Sequence, residues 1–391
     1  MGVEKINIER FLELAEKFPV LDVRSPGEFL HAHIPGAFSL PLFTDEERKI
    51  VGTAYKQQSR FAAIKDGLDF FGPKMRRMVE EVEMIAANWK PAAAVAKINS
   101  NSGGMNNGDI KPEFAPNKIS GENRPCKTVL VHCWRGGMRS GAVSWLLDLY
   151  GFKVYTLTGG YKSFRNWVIK QFGLSYRFNI LGGYTGSGKT EVLKELESRN
   201  QLVIDLELLA GHKGSAFGNI GLPPQPTQEM FENLLGIKLN IALRKSLNAQ
   251  QQPIWLEDES QRIGSVNIPQ PLWLSMRNSS IYFLDIPFEE RLQHIVAEYG
   301  SLDRERIKDA ITRLQKRLGG LETKTALASL EEDNILECFH ILLKYYDKYY
   351  QKGLNNRSNL EGLLTNVRCT TIDAGTNAVE VLKHIQTATV S

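Results

Sequence analysis

The sequence predicts an α/β protein built from two parallel-sheet domains in one chain of 391 residues. Three observations carry that expectation. Short apolar, β-branched runs alternate with amphipathic segments in both halves, the pattern of strands linked by covering helices. In the first half, the run TVLVHC passes through a Gly-Gly turn into a helix-like segment. In the second, RFNIL passes through Gly182–Thr190, five of whose nine residues are glycine or lysine, into another.

Composition removes several classes. Hydrophobic residues make up 42% and charged residues 24%, which excludes a globally disordered, collagen-like or coiled-coil chain. The net charge of +4 is compatible with a polyanionic partner without requiring one. The four cysteines, Cys126, Cys133, Cys338 and Cys369, form no CxxC pair, so a disulfide framework or a common zinc spacing is not expected. No stretch reaches the ~18 apolar residues that span a bilayer. The N-terminal segment lacks the apolar core of a signal peptide, and Glu4, Glu9, Glu13 and Glu16 are out of place in a transit peptide. A cytoplasmic setting without membrane contact is the expectation.

In chain order, PVLDV (19–23) is a buried strand stopped by Arg24-Ser25-Pro26, and 26–32 is a short helix with Pro26 in its first turn. Segments 44–58 and 72–89 are helical. Residues 92–124, rich in Asn, Gly, Ser and Pro, are a mobile insertion. TVLVHC (128–133) and KVYTL (153–157) are strands, with amphipathic helices over 140–150 and 161–171. The first domain therefore covers 1–172. The second, 177–391, opens on strand RFNIL (177–181), helix 189–199 and strand LVIDL (202–206). A long helix from about 227, strands PIWLE (253–257) and SIYFLDI (280–286), and a helix at 288–298 follow. A basic helical extension occupies about 300–352. CTTIDA (369–374) is the last strand and 377–388 the last helix.

Cys133 is the thiol with a chemical setting. Arg135, Gly136, Gly137 and Arg139 follow it, and a helix begins at once. Backbone amides of a Gly turn form an anion cradle, a helix start adds positive potential, and two arginines add charge. Such surroundings favour a thiolate and an oxyanion substrate beside it. The competing reading is a buried structural cysteine at a strand end. That reading is applied to Cys338 and Cys369. Cys126 could approach Cys133 as a resolving thiol.

Leu21-Asp22-Val23-Arg24-Ser25-Pro26-Gly27-Glu28-Phe29, followed by His31-Ala32-His33-Ile34-Pro35-Gly36-Ala37, resembles the rhodanese signature. In that family these motifs frame a sulfur-transferring cysteine, which Cys133 matches. The spacing from Cys133 to Arg139 also fits the Cys-x5-Arg loop of cysteine-dependent phosphatases. At this point phosphatase and chalcogen transferase are both open.

Gly183, Gly186, Ser187, Gly188, Lys189 and Thr190 lie in a G-x-x-x-x-G-K-[ST] motif between a strand and a helix. Glycines let the backbone wrap phosphates, Lys189 supplies charge, and Thr190 can hold Mg²⁺. A carboxylate partner for the ion is sought at the strand ends: Asp205, or the Glu257-Asp258-Glu259 run, with Asp258 the first choice. Mg²⁺ is the candidate ion and no tightly bound cofactor is expected. The polar segment 211–218 reads either as a substrate loop or as an ordinary connection.

The extension carries Arg304, Arg306, Lys308, Arg313, Lys316 and Arg317, then Lys344, Lys348, Lys352 and Arg357 with Tyr345, Tyr346, Tyr349 and Tyr350. Basic helices with aromatics can track RNA; a solvated face over core aromatics is the commoner arrangement.

The order of the two loops, together with Glu257-Asp258-Glu259-Ser260-Gln261-Arg262-Ile263-Gly264, resembles the bacterial tRNA 2-selenouridine synthases over nearly the whole chain. The insertion at 92–124 is the main departure. The resemblance implies a rhodanese-like domain fused to a P-loop NTPase-like α/β domain with a helical extension. It also implies tRNA carrying 2-thiouridine at the wobble position as substrate, alkylated with geranyl diphosphate. Selenium from selenophosphate then replaces the S-geranyl group, with Cys133 accepting it as a selenylated cysteine. Two other readings stay open: a P-loop kinase or ATPase with a rhodanese-fold phosphatase or sensor, and an inactive RNA-binding module.

Overall fold

The computed structural model describes residues 2–90, 127–215, 217–219, 222–300 and 303–388. The insertion at 92–124 and Cys126 lie outside the described residues. The chain divides into two units, Met1–Gln171 with Glu229–Ile237, and Phe172–Gln228 with Lys238–Ser391. The sequence placed all of 177–391 in one domain; the segment Glu229–Ile237 groups instead with the first.

The first unit is built on a five-stranded parallel sheet. Its strands are β1 (Glu4–Ile6), β2 (Val20–Asp22), β3 (Phe38–Ser39), β4 (Thr128–His132) and β5 (Lys153–Leu157), in the order β1-β5-β4-β2-β3. Val129, Leu130 and Val131 of the central β4 are fully buried, as expected where helices cover both faces. Three helices, Asp45–Gln57, Arg60–Phe71 and Met75–Asn88, follow β3. The first is closed by Thr44, whose hydroxyl accepts from Glu47 N at 3.2 Å while its amide donates to Glu47 Oε2 at 2.8 Å. Helix Arg60–Phe71 and strand β1 were not anticipated. In β1 only Ile6 is buried, so an edge strand flanked by charges shows no period-2 signal and its residues run on into the helical pattern of Ile8–Ala15.

The second unit has its own parallel sheet, formed by β6 (Phe178–Gly183), β7 (Leu202–Val203), β8 (Ile254–Glu257), β11 (Ser280–Asp285) and β12 (Leu364–Arg368). A small antiparallel hairpin, β9 (Arg262–Ile263) and β10 (Val266–Asn267), is separate. The order is β12-β11-β6-β8-β7. The chain leaves β6 toward one side and later returns to the other, so the C-terminal end of β6 lies at the switch point where such sheets bind ligands. Helices Arg304–Leu318, Gly320–Glu331 and Ile335–Asn355 form the extension. They enclose a separate core around Ile307, Ile311, Phe339, Leu342 and Leu343.

Two expected strands differ. LVIDL shrinks to Leu202–Val203, because Asp205 caps a helix by accepting from Leu208 N at 2.7 Å. The last strand is Leu364–Arg368, paired with Ile281–Asp285, not CTTIDA. Asp373 takes the chain out of the sheet there, its carboxylate accepting from Thr376 N at 2.7 Å as the helix Ala374–Ala388 begins. Among the described residues, no helix is long and apolar enough to cross a membrane.

Candidate active site

Cys133 follows the last residue of β4 and is 3% exposed. Its thiol donates to Ser140 Oγ at 3.3 Å, and Ser140 in turn donates to Gly137 O at 3.2 Å. The loop is clamped from behind by the turn after β5. Tyr161 N donates to Cys133 O at 2.8 Å and Lys162 N to Trp134 O at 3.0 Å. This close approach requires glycine at 160, where φ is +60° and a Cβ would overlap Cys133 O and Gly136 N. Gly160→Ala is therefore expected to destabilise the first unit by more than about 3 kcal/mol. Denaturant unfolding checks this, and an unchanged midpoint would show that the loop tolerates displacement.

The two arginines of the expected cradle separate. Arg135 is exposed beside the loop. Arg139 donates to Glu28 at 2.7 and 3.3 Å, and Arg48 Nε lies 3.0 Å from the same carboxylate. Gly137 precedes the helix Met138–Leu149, and Gly136 has φ +65°. Burial works to raise the Glu28 carboxyl. The hydrogen bond and charge of Arg139, the Ser25 amide and Arg48 outweigh it and draw the carboxyl down to about 2. A lowered carboxylate contributes stability that is complete above its ordinary value near 4.5 and is lost as pH falls toward 2. Glu28→Gln should remove that contribution, on the order of 2 kcal/mol, at pH 7 and flatten the acid limb of the unfolding profile. Parallel acid limbs for the two proteins would disprove it. The signature segment supplies a buried frame beneath the loop: Arg24 donates to Asp22 and to Ala32 O, and its guanidinium lies 3.8 Å from the Tyr161 ring centroid.

Cys338 and Cys369 are buried, and burial pushes both thiols up to about 11. This suits packing residues rather than nucleophiles.

In the second unit, Gly183 through Thr190 turn from β6 into the helix Lys189–Ser198, with positive φ at Gly183, Gly186 and Gly188. Lys189 Nζ donates to Gly183 O at 3.0 Å. Ser187 Oγ is buried with no partner among the described residues. Thr190 Oγ1 donates to Glu257 Oε1 at 2.9 Å. Glu257, and not Asp258 or Asp205, thus meets the motif threonine. Successive residues at a strand end point to opposite sides, and Asp258 is turned away, accepting from Tyr350 OH at 2.6 Å and from Arg357. Asp205 is occupied as the helix cap described above.

Glu257 has company. Carboxylate oxygens of Glu207, Glu257 and Glu259 lie within 4.8 Å of one another, and Glu257 Oε2 has no hydrogen-bond partner among the described residues. Burial first, then the neighbouring carboxylates, push Glu207 up to about 9 and Glu259 up to about 8, and hold Glu257 well above the ordinary range. Lys189 opposes the shift in all three. Gly214, in the polar segment singled out above, sits against this cluster: a Cβ there would stand 2.9 Å from both Glu207 and Glu259.

Comparison with known proteins bears on both units. The family model for the tRNA 2-selenouridine synthase AAA domain matches residues 176–310. A tRNA 2-selenouridine synthase of Bdellovibrio bacteriovorus is 30% identical over 400 residues, covering 91% of this chain and 94% of that protein. One from a Sulfurovum species is 31% identical, covering 87% and 90%. A third, from Nitrosomonas europaea, is 34% identical, covering 72% of this chain and 63% of its own length. This chain belongs to the tRNA 2-selenouridine synthase family.

For this synthase-family chain, sequence reasoning missed several residues around the two loops. Ser140 opens the segment expected to be helical over 140–150 and Glu28 lies within Leu21–Phe29, and neither carried a role. Arg291 binds Asp347 at 2.8 and 2.7 Å and donates to Thr185 O at 3.1 Å, holding the phosphate loop from outside. Tyr350 OH accepts from Gly183 N at 3.3 Å, and Tyr184 OH donates to Gln351 at 2.6 Å. Both partners sit on the helix Ile335–Asn355, about 170 residues downstream. The i, i+3, i+4 spacing of Asp347, Tyr350 and Gln351 on one helix face was the available signal.

Proposed function

We propose that this enzyme is a transferase acting on the wobble 2-thiouridine of tRNA: it geranylates the sulfur and then replaces the S-geranyl group with selenium. The observation that carries the reading is the presence of two strand–loop–helix turns suited to anions, one opening on Cys133 and one closing on Lys189-Thr190, in a chain of this family. The first unit is read as rhodanese-like, supported by the parallel sheet and by the Asp22–Arg24 frame under the Cys133 loop. The setting is read as cytoplasmic, where tRNA is modified.

In geranylation, the uridine sulfur attacks the allylic carbon of geranyl diphosphate. A C–S bond forms, the C–O bond breaks, diphosphate leaves with the electron pair, and the base loses its N3 proton. The backbone of 183–190 and Lys189 stabilise the departing charge. Mg²⁺ fits the residues present: Thr190 and the Glu257 oxygen that lacks a partner would hold it, with Glu207 and Glu259 adjacent. Bound there, the ion would neutralise diphosphate charge. Glu257→Gln should weaken Mg²⁺ binding by at least about tenfold in calorimetric titration; equal affinity would place the ion elsewhere.

In selenation, selenophosphate brings selenium already at the selenide level. Taking it onto Cys133 as a selenylated cysteine would leave phosphorus as phosphite. The balanced route uses the Cys133 thiolate to displace geranyl thiolate from C2. Selenophosphate then displaces Cys133, and water cleaves the Se–P bond to give phosphate. Ser140 is placed to hold the thiolate, the loop amides and Arg135 to hold the anion, and exposed Trp134 and Met138 give the loop an apolar rim for the geranyl chain.

The deciding experiment incubates the pure protein with thiolated tRNA, geranyl diphosphate and selenophosphate and weighs the product nucleosides. Formation of 2-selenouridine through S-geranyl-2-thiouridine is expected. Unmodified 2-thiouridine there, with hydrolysis of ATP in a parallel incubation supplied with it, would favour a P-loop ATPase.

A further inference from the structure

The helix Ile335–Asn355 has two unlike sides. Asp347, Tyr350 and Gln351 face the phosphate loop through Arg291, Gly183 and Tyr184. Lys344, Lys348 and Lys352 are exposed and recur every four residues, so they share one arc at ~6 Å intervals along the axis. Among the described residues none of the three has an ion pair, whereas Arg304 and Lys308 of the same extension are matched by Asp333 and Glu331. Like charges four residues apart on a helix repel, and the neighbouring acid of the same helix, Asp347, is already paired with Arg291. A polyanion would relieve them.

The arc continues into aromatics. Tyr349 is 55% exposed and stacks on Tyr345 with ring centroids 6.2 Å apart. The Arg317 guanidinium lies 6.0 Å from the Tyr349 centroid. Lysines in a row beside an exposed, cation-backed ring match what a nucleic-acid strand offers: regularly spaced phosphates and an unstacked base.

We infer that Lys344, Lys348 and Lys352, with Tyr349 and Arg317, form the surface by which the second unit receives the RNA backbone. The inference rests on the function proposed above and adds where the RNA is held. It places the RNA surface on the same helix that fixes Gly183, so tRNA engagement and the diphosphate loop share one rigid element.

The test measures binding of the full-length protein to 2-thiouridine-containing tRNA at several salt concentrations. K344Q/K348Q/K352Q should bind roughly tenfold or more weakly near physiological salt. Its plot of log affinity against log salt should be shallower by about two to three, close to one unit for each phosphate no longer neutralised. K344R/K348R/K352R should restore both. Tyr349→Ala should weaken binding at an unchanged slope, since stacking releases no counterions. Thermal melting confirms that each variant is folded. An unchanged salt slope in the glutamine variant overturns the inference, and is also what a lysine row serving a protein partner would give, while the synthase reading stands. Failure of the unaltered protein to bind tRNA would sink that reading together with the inference.

Discussion

Cys133→Ala should leave tRNA at S-geranyl-2-thiouridine, with 2-selenouridine formation reduced roughly a thousandfold or more. Alkylating the sulfur requires departure of diphosphate and no protein nucleophile, whereas exchange at C2 uses the thiolate in the proposed route. The substitution removes one buried sulfur and its hydrogen bond to Ser140, so the loop should keep its shape, held by Tyr161 N and Lys162 N. Cys133→Ser is the informative companion: it preserves a donor to Ser140 and still fails, because an alcohol is a far weaker nucleophile at neutral pH. Nucleoside mass spectrometry of the reaction reads both outcomes. Loss of geranylation in Cys133→Ala would mean that the thiol serves the first step too.

Lys189→Ala should give the opposite block: 2-thiouridine persists, with geranyl transfer down by roughly a hundredfold to a thousandfold. The ammonium is held over the loop by Gly183 O at 3.0 Å and is the formal positive charge contributed by the G-x-x-x-x-G-K-[ST] segment itself. Supplying tRNA that already carries S-geranyl-2-thiouridine should restore selenium incorporation in this variant and not in Cys133→Ala. That crossed rescue separates the two loops, and a Lys189→Ala protein that also fails on geranylated tRNA would show that they are not independent.

Much of this arrangement was legible in the chain. The strand–loop–helix units at 128–149 and 178–198 combine a short apolar run, glycines and an amphipathic segment, all local signals. What was hidden depends on pairings distant in sequence. Glu28 meets Arg139 across more than a hundred residues, and Tyr350 meets Gly183 across 167. Neither spacing has a period to read. The carboxylate beside Thr190 was sought in the right run but one residue off, because pleat direction at a strand end is set by pairing with β6 and not by the sequence of β8. The last strand was misread because CTTIDA has β-branched residues, while its aspartate is a helix cap whose role emerges only with the helix in place.

The segment Glu229–Ile237 has a practical consequence. It supplies Glu229, which accepts from Tyr161 OH at 2.7 Å, and Asn233, which donates to Tyr161 OH at 2.8 Å and to His33 O at 2.9 Å; Glu232 pairs with Arg165. Tyr161 is the residue whose amide anchors the Cys133 carbonyl. A gene fragment ending near residue 172 would therefore encode a thiol half missing a strut that is translated some sixty residues later. The two halves are not interchangeable cassettes, and grafting the thiol half onto another scaffold would have to carry this stretch of helix along.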